Sequence, residues 1–319
     1  MKIVIPGGTG QIGSVLVPPL VAAGHEVVVL SRSQSGYPGA RTVQWNGIEQ
    51  GPWSRELDGA QVVINLAGRS VDCRYDKHNL TDMLASRIDS TRAVGEAIAA
   101  AAAPPVVWLQ ASTATIYAHT YGAPHDEHTG VIGGHEPDVP NYWRYSIEIA
   151  EAWERELMAA NTPRTRRIAL RMAMLMGPTP GGPFRIMERL ARLGLGGAIG
   201  GGRQYMSWVH DRDLVRSIEF LIDRDDLDGV VNICAPNPLP HADFMRALRG
   251  AVGMRLGVPA PAWLFELATL VHRTDSELIL KSRRVIPGRL AEAGFRFEFE
   301  HWPDAARDLV ARVRARPAA

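Results

Sequence analysis

The sequence predicts an α/β fold, a doubly wound parallel sheet with a smaller, mostly helical C-terminal lobe. Through the first half, short β-branched runs alternate with longer helical patterns, the signature of a parallel sheet covered on both faces. A glycine-rich loop follows the first run directly. Beyond Arg171 the alternation gives way to Gly/Pro-rich connections at 177–183 and 194–202, set between helices.

In chain order, strands are expected at 2–5, 26–30, 42–45, 62–66, 106–110 and 167–171, with helices at 11–23, 80–102 and 142–161 between them. The first helix carries Pro18 and Pro19, which remove two amide donors and should kink or shorten it. The apolar stretch 93–109 contains Glu96, Pro104 and Pro105, so it reads as a helix ending before a buried strand rather than a membrane span. Further helices are expected at 184–193, 211–223, 242–252 and 262–271, one more short apolar run at 230–233, and a closing amphipathic helix at 302–315. The domain reading is 1–175 for the sheet domain, with 205–235 returning to it. Residues 176–204 and 236–301 form the smaller lobe, and 302–319 the C-terminal helix. The acidic cluster at 223–228 reads as a solvated helix end.

The chain has 319 residues, 46% hydrophobic and 22% charged, which is enough to bury a core and excludes disorder. Its 35 basic and 34 acidic residues leave a formal charge of +1, so neither nucleic acid nor an anionic membrane is an expected partner. Cys73 and Cys234 are the two cysteines, too few for a disulfide framework or a cysteine-rich zinc site. No secretory leader is expected ahead of the strand at Lys2, and a reducing, cytoplasmic location is expected. There are three lysines, Lys2, Lys77 and Lys281; every other basic residue is arginine.

Gly7, Gly10 and Gly13 fall between a predicted strand and a predicted helix, together with Thr9, Gln11 and Ile12. In that context the first glycine permits a tight turn, the second lets backbone approach a pyrophosphate, and the third permits close packing of helix on strand. The anion would rest on the amides at the helix N-terminus. This is a Rossmann-type dinucleotide site. The tip of the second strand reads Ser31-Arg32, with no acidic residue to bind a free ribose 2′-hydroxyl, so NADP(H) is expected over NAD(H). The alternative for Arg32 is a solvated loop residue. Leu66, Ala67 and Gly68 would leave room for the adenine side of the cofactor.

With 7–13, 65–68 and Ala111-Ser-Thr-Ala-Thr-Ile-Tyr117 in view, the chain resembles the extended short-chain dehydrogenase/reductase superfamily. More narrowly it resembles the epimerase branch labelled nucleoside-diphosphate-sugar epimerase or cell-division-inhibitor-like. The narrower likeness rests on segments 86–92, 194–204, Ser207-Trp-Val-His210, 232–238, 285–287 and 293–295. It implies a dinucleotide fold with a small substrate lobe. In the superfamily, catalysis needs a Ser or Thr after the fifth strand and a Tyr with a Lys four residues on. Thr113 fits the first position and Tyr145 the second, with Ile149 where the lysine would stand; Tyr142 as the alternative puts Ser146 there. Neither register supplies a lysine. Three explanations stay open: proton donation by Tyr145 helped by Thr113 and an arginine such as Arg87 or Arg74; other acid–base groups working beside a structural cofactor; or cofactor binding without turnover.

Tyr117, Arg171 and His210 complete the substrate-side candidates, although Arg171 could equally pair a buried carboxylate and His210 could equally pack in the seam between lobes. His119, His125, His128 and His135 are irregularly spaced, and no metal is expected. Met172, Met174 and Met176 read as strand core. The function expected is an NADP(H)-dependent oxidoreductase, or an epimerase-type enzyme, on a small-molecule substrate, with a homodimer left open. The alternatives are a nucleotide-binding regulatory protein without turnover and a non-redox cyclase or lyase.

Overall fold

The computed structural model describes residues 1–137, 139–140, 142–263 and 276–315. Seven strands form one sheet in the order β10-β6-β5-β4-β1-β2-β3, every neighbouring pair parallel. They are β1 (Lys2–Pro6), β2 (Glu26–Ser31), β3 (Arg41–Gln44), β4 (Val62–Asn65), β5 (Val107–Thr113), β6 (Arg166–Met172) and β10 (Gly229–Ile233). The chain leaves β1 toward β2 and β3, then returns to lay β4, β5 and β6 on the other side. The strand order therefore reverses between β1 and β4, and the crevice beyond their carboxyl ends is where such sheets bind ligands.

The sheet is apolar on both faces because each strand alternates. Ile3, Ile5, Val27, Val29, Val62 and Ile64 face one core, with Leu16 and Leu20 of α1 (Gln11–Ala22) and Leu214 and Ile218 of α5 (Asp211–Asp223). Val4, Val28, Leu30, Val63 and Trp108 face the other, with Val94 and Ile98 of α2 (Lys77–Ala100) and Leu157 of α3 (Trp143–Ala159). Period-two alternation with both sides covered is what a buried parallel sheet requires.

The helix α1 runs unbroken through Pro18 and Pro19, contrary to the expected kink or shortening. Pro18 is exposed and Pro19 half-buried, while Leu16, Val17 and Leu20 are buried. The carbonyls that lose their amide partners thus lie toward water, and packing of the opposite face holds the helix.

The smaller lobe has its own core. It unites Phe184 and Met187 of α4 (Pro183–Arg192), Phe244 and Leu248 of α6 (His241–Val252), and Trp302, Ala306 and Leu309 of the C-terminal helix α9 (Trp302–Ala315). Phe244 and Trp302 stack with ring centres 3.8 Å apart, and the indole N–H donates to the Phe244 carbonyl at 2.8 Å. Two small ladders, β7 (Met174–Met176) with β9 (Trp208–His210) and β8 (Tyr205–Met206) with β11 (Leu239–Pro240), lead from the sheet into this lobe. Past α7 (Glu277–Leu280), residues 281–287 tie back to the sheet domain and lead into α8 (Gly288–Glu292). There the His125 amide donates to the Arg284 carbonyl at 2.7 Å and the Ile286 amide to the His125 carbonyl at 2.9 Å. The helix expected at 262–271 lies outside the described residues beyond Trp263. No described helix is long and apolar enough to cross a membrane.

Candidate functional site

The glycine loop sits at the β1–β4 reversal, and its three glycines answer to different constraints. Gly7 has φ +73°, and a Cβ there would lie 2.6 Å from the Ala67 Cα. A Cβ on Gly13 would lie 1.8 Å from the Gly8 carbonyl oxygen, so only hydrogen lets α1 pack on the loop. Gly10 is different: its φ is −77° and the nearest heavy atom to a built Cβ is 3.6 Å away. Nothing among the described residues demands glycine at that position. Gly10 also caps α1 without any side-chain hydrogen bond, and the first turn holds no acidic residue. The amides of Gln11 and Ile12 therefore open an anion-binding helix end.

At the tip of β2, Ser31 Oγ and Thr9 Oγ1 are 3.3 Å apart, which fixes the loop against the strand. Arg32 is exposed and its side chain makes no hydrogen bond or ion pair with the described residues. Tyr37 reaches back to donate to the Gly8 carbonyl at 3.1 Å. Beyond β4, Asn65 is fully buried: its Oδ1 accepts from the Ala67 amide at 3.1 Å, and its Nδ2 donates to Gln110 at 3.0 Å. That pair holds Leu66, Ala67 and Gly68 open beside the glycine loop.

Arg87 is buried behind Gly68, where a Cβ would meet its side chain at 3.3 Å. It donates to the Met83 carbonyl at 2.9 Å and lies 4.8 Å over the Trp153 ring. No described carboxylate pairs with it, and burial pulls its pKa down to about 10. A desolvated guanidinium without a described counter-ion, packed behind Gly68, is suited to receive an anion. Arg74, by contrast, lies exposed on the loop before α2.

Thr113 ends β5, and its Oγ1 accepts from the Thr115 amide at 3.1 Å, capping a single 3-10 turn over Ala114–Ile116. On α3, Tyr145 is half exposed, and its hydroxyl has no partner among the described residues. It lies one and two turns before Ile149 and Trp153, both buried, and Trp153 packs against Arg87 and donates to Thr91 at 3.1 Å. Tyr145 therefore continues the helix face that borders the crevice. Tyr142, the other register, instead has its hydroxyl 3.1 Å from Ser276 Oγ.

Three sequence candidates have their polar groups engaged within the fold. Arg171 forms a two-pronged pair with Glu154 of α3 at 2.8 and 2.7 Å, and Ser112 donates to the same carboxylate at 2.6 Å. Tyr117 is buried under that guanidinium, 4.9 Å away, with its hydroxyl donating to Asn232 at 3.0 Å. His210 is fully buried at the head of α5, between Asp211 and Asp308 at 3.1 Å each and stacked on Phe299. The loop histidines also bond within the fold: Nδ1 of His119 accepts from the Ser282 amide, and His125 stacks on Tyr117.

Sequence reading missed Lys281. It is 1% exposed, and Nζ donates to the Thr115 carbonyl at 2.9 Å in the turn just after Thr113. The signal was its rarity, since a chain that uses arginine almost everywhere keeps one lysine here. It reaches the neighbourhood of β5 and α3 from the far end of the chain, not from position 149.

A seven-stranded doubly wound sheet with a glycine loop at its reversal defines a dinucleotide-binding protein of the extended short-chain dehydrogenase/reductase type. Residues 3–234 match the profile of the NAD dependent epimerase/dehydratase family, and the chain belongs to that family. Residues 260–309 match a domain of unknown function, DUF1731. The epimerase family protein SDR39U1 of Homo sapiens is 29% identical over 98% of this chain and 100% of its own length. The epimerase family protein YfhF of Bacillus subtilis is 28% identical, with 98% of both chains covered. The crystal structure of human SDR39U1 (isoform2) with NADPH superposes with a TM-score of 0.83 at 27% identity, over 98% of this chain and 99% of that one. A UDP-N-acetylglucosamine 4-epimerase from Bacillus cereus shares the fold, with a TM-score of 0.76 at 15% identity over 100% and 98% of the two chains.

Proposed function

We propose that the protein is an NADP(H)-dependent oxidoreductase, a carbonyl reductase more than an epimerase, acting on a small molecule. The observation that carries the reading is Gly10, a glycine that the protein's own packing does not require, heading an uncapped helix N-terminus at the strand-order reversal. The pyrophosphate would rest on the amides of 11–13, and the 2′-phosphate would meet the guanidinium of Arg32, which pairs with none of the described residues. Arg87 would face the remaining phosphate or ribose oxygens. A human relative of similar length was crystallised with NADPH, which supports the same choice of cofactor.

Bound there, the cofactor supplies hydride; the chain supplies position and a proton. The Tyr145 hydroxyl, on α3 and without a partner among the described residues, would give or take the proton at a reacting carbonyl or carbinol, with Thr113 as a second hydrogen-bonding hydroxyl. No lysine stands one turn after Tyr145, so its hydroxyl works without an adjacent ammonium.

Calorimetric titration with NADPH, NADP+, NADH and NAD+ tests the reading. NADPH should bind more tightly than NADH, and Arg32→Ala should weaken NADPH about 10- to 100-fold while leaving NADH unchanged, as loss of a charged hydrogen bond to phosphate would. Silence with all four nucleotides would overturn the redox reading and leave a non-redox enzyme or a binding protein on this fold.

A further inference from the structure

A pocket of about 410 Å³ opens between the chain around Gly134, Glu136 and Pro140 and the start of α3, lined by Glu136, Trp143, Arg144, Tyr145, Glu148 and Lys281 among others. Its volume suits a small organic ligand. The polar groups around it are unevenly matched. The carboxylates are committed: Glu136 accepts from the His119 and Gly134 amides at 2.7 and 2.6 Å, and Glu148 pairs with Arg144 at 2.7 Å. The buried donors are not. Trp143 is 5% exposed, and its Nε1 has no acceptor among the described residues. Lys281 has one hydrogen bond, to the Thr115 carbonyl, with Glu277 Oε1 at a looser 3.6 Å, although an ammonium has three protons to place. One layer behind, Nη2 of Arg283 lies 3.9 Å from the same Glu277 oxygen, so this buried carboxylate offsets part of the positive charge.

Buried donors without acceptors are costly, typically about 1–3 kcal/mol each, and native proteins rarely leave several together. In the pocket lining, the Trp143 indole N–H and the Lys281 ammonium leave room for one more acceptor. We propose that this pocket binds a small carboxylate, its oxygens accepting from Nζ of Lys281 and Nε1 of Trp143, and that it forms the substrate side of the proposed reaction site. The second half rests on that proposed function, through Tyr145, which borders the pocket. Burial lowers the Lys281 pKa to about 8, which still leaves the ammonium protonated at neutral pH.

Benzoate and benzamide are the probes, matched in shape and differing in charge. In 15N-labelled protein at pH 7, titrating benzoate should shift one of the eight tryptophan indole N–H resonances saturably, the one missing from Trp143→Phe. Benzamide should bind at least about tenfold more weakly, and Lys281→Met should weaken benzoate by about tenfold or more. If Lys281→Met does not fold, a severalfold loss of benzoate affinity in Trp143→Phe decides the same point. Equal binding of the two probes, no saturable shift, or unchanged benzoate affinity in the variants overturns the proposal. NADPH titrated into the same samples keeps the two readings apart, because a failed pocket leaves nucleotide binding intact, and a failed nucleotide site leaves the benzoate shift.

Discussion

At the scale of single residues, the glycine loop separates what folding requires from what a ligand requires. A Cβ at 13 would strike the Gly8 carbonyl at 1.8 Å, so Gly13→Ala must move α1 off the loop and should cost about 1–3 kcal/mol in urea unfolding. A Cβ at 10 meets nothing closer than 3.6 Å in an ordinary backbone conformation, so Gly10→Ala should cost at most about 1 kcal/mol as an altered helix cap. That variant should nevertheless lose most of its NADPH binding by calorimetry, since the methyl occupies space where the pyrophosphate approaches. A Gly10→Ala protein that binds NADPH like the parent would sink the assignment of the loop. The sequence marked all three glycines through spacing and context, and the structure sets them at the strand-order reversal. The sequence could not sort Tyr117, Arg171 and His210, because a buried ion-paired side chain and a substrate-facing one are written with the same letters. Their partners, Asn232, Glu154 and Asp308, lie between 17 and 115 positions away.

At the scale of elements, strand and helix positions were readable from periodicity, and most boundaries fall within a few residues of the expected ones. The error was in α1, where the proline rule was right about lost hydrogen bonds but blind to which face the prolines would occupy. The helix that carries Tyr145 is α3, and its rotation is held by Glu154. Arg171 from β6 and Ser112 from β5 both grip that carboxylate, fixing the face on which Tyr145 stands. Glu154→Gln removes one charge and leaves Arg171, 8% exposed, without its counter-ion. Breaking a buried pair from one side costs about 3–5 kcal/mol, which urea unfolding would register as a clearly lower midpoint at unchanged slope. A loss below about 1 kcal/mol, the worth of a surface pair, would show that α3 is held by its apolar face alone.

For the whole molecule, Lys281 ties the segment after α7 to the turn after β5, and the fold as a unit bears the cost of desolvating it. Its neighbours are Glu277 one turn before it, Arg283, Glu136 and His119. Burial is the largest influence and lowers its pKa from 10.5 to about 8, with Glu277 and Glu136 opposing. Below pH 8 the folded and unfolded chains both hold the proton, so the penalty is constant and fully present. Between about 8 and 10.5 the folded chain has released the proton and the unfolded chain has not, so stability rises with pH through that window. The gain is of order 3 kcal/mol, since the difference between 10.5 and 8 is multiplied by about 1.4 kcal/mol per unit. Lys281→Met has no such proton to release. Urea midpoints of the two proteins, measured from pH 7 to 10.5, should therefore show the variant's relative advantage shrinking as pH rises. Parallel curves across that range would mean that water reaches the ammonium in the folded state, and the donor-rich character of the neighbouring pocket would have to be reconsidered with it.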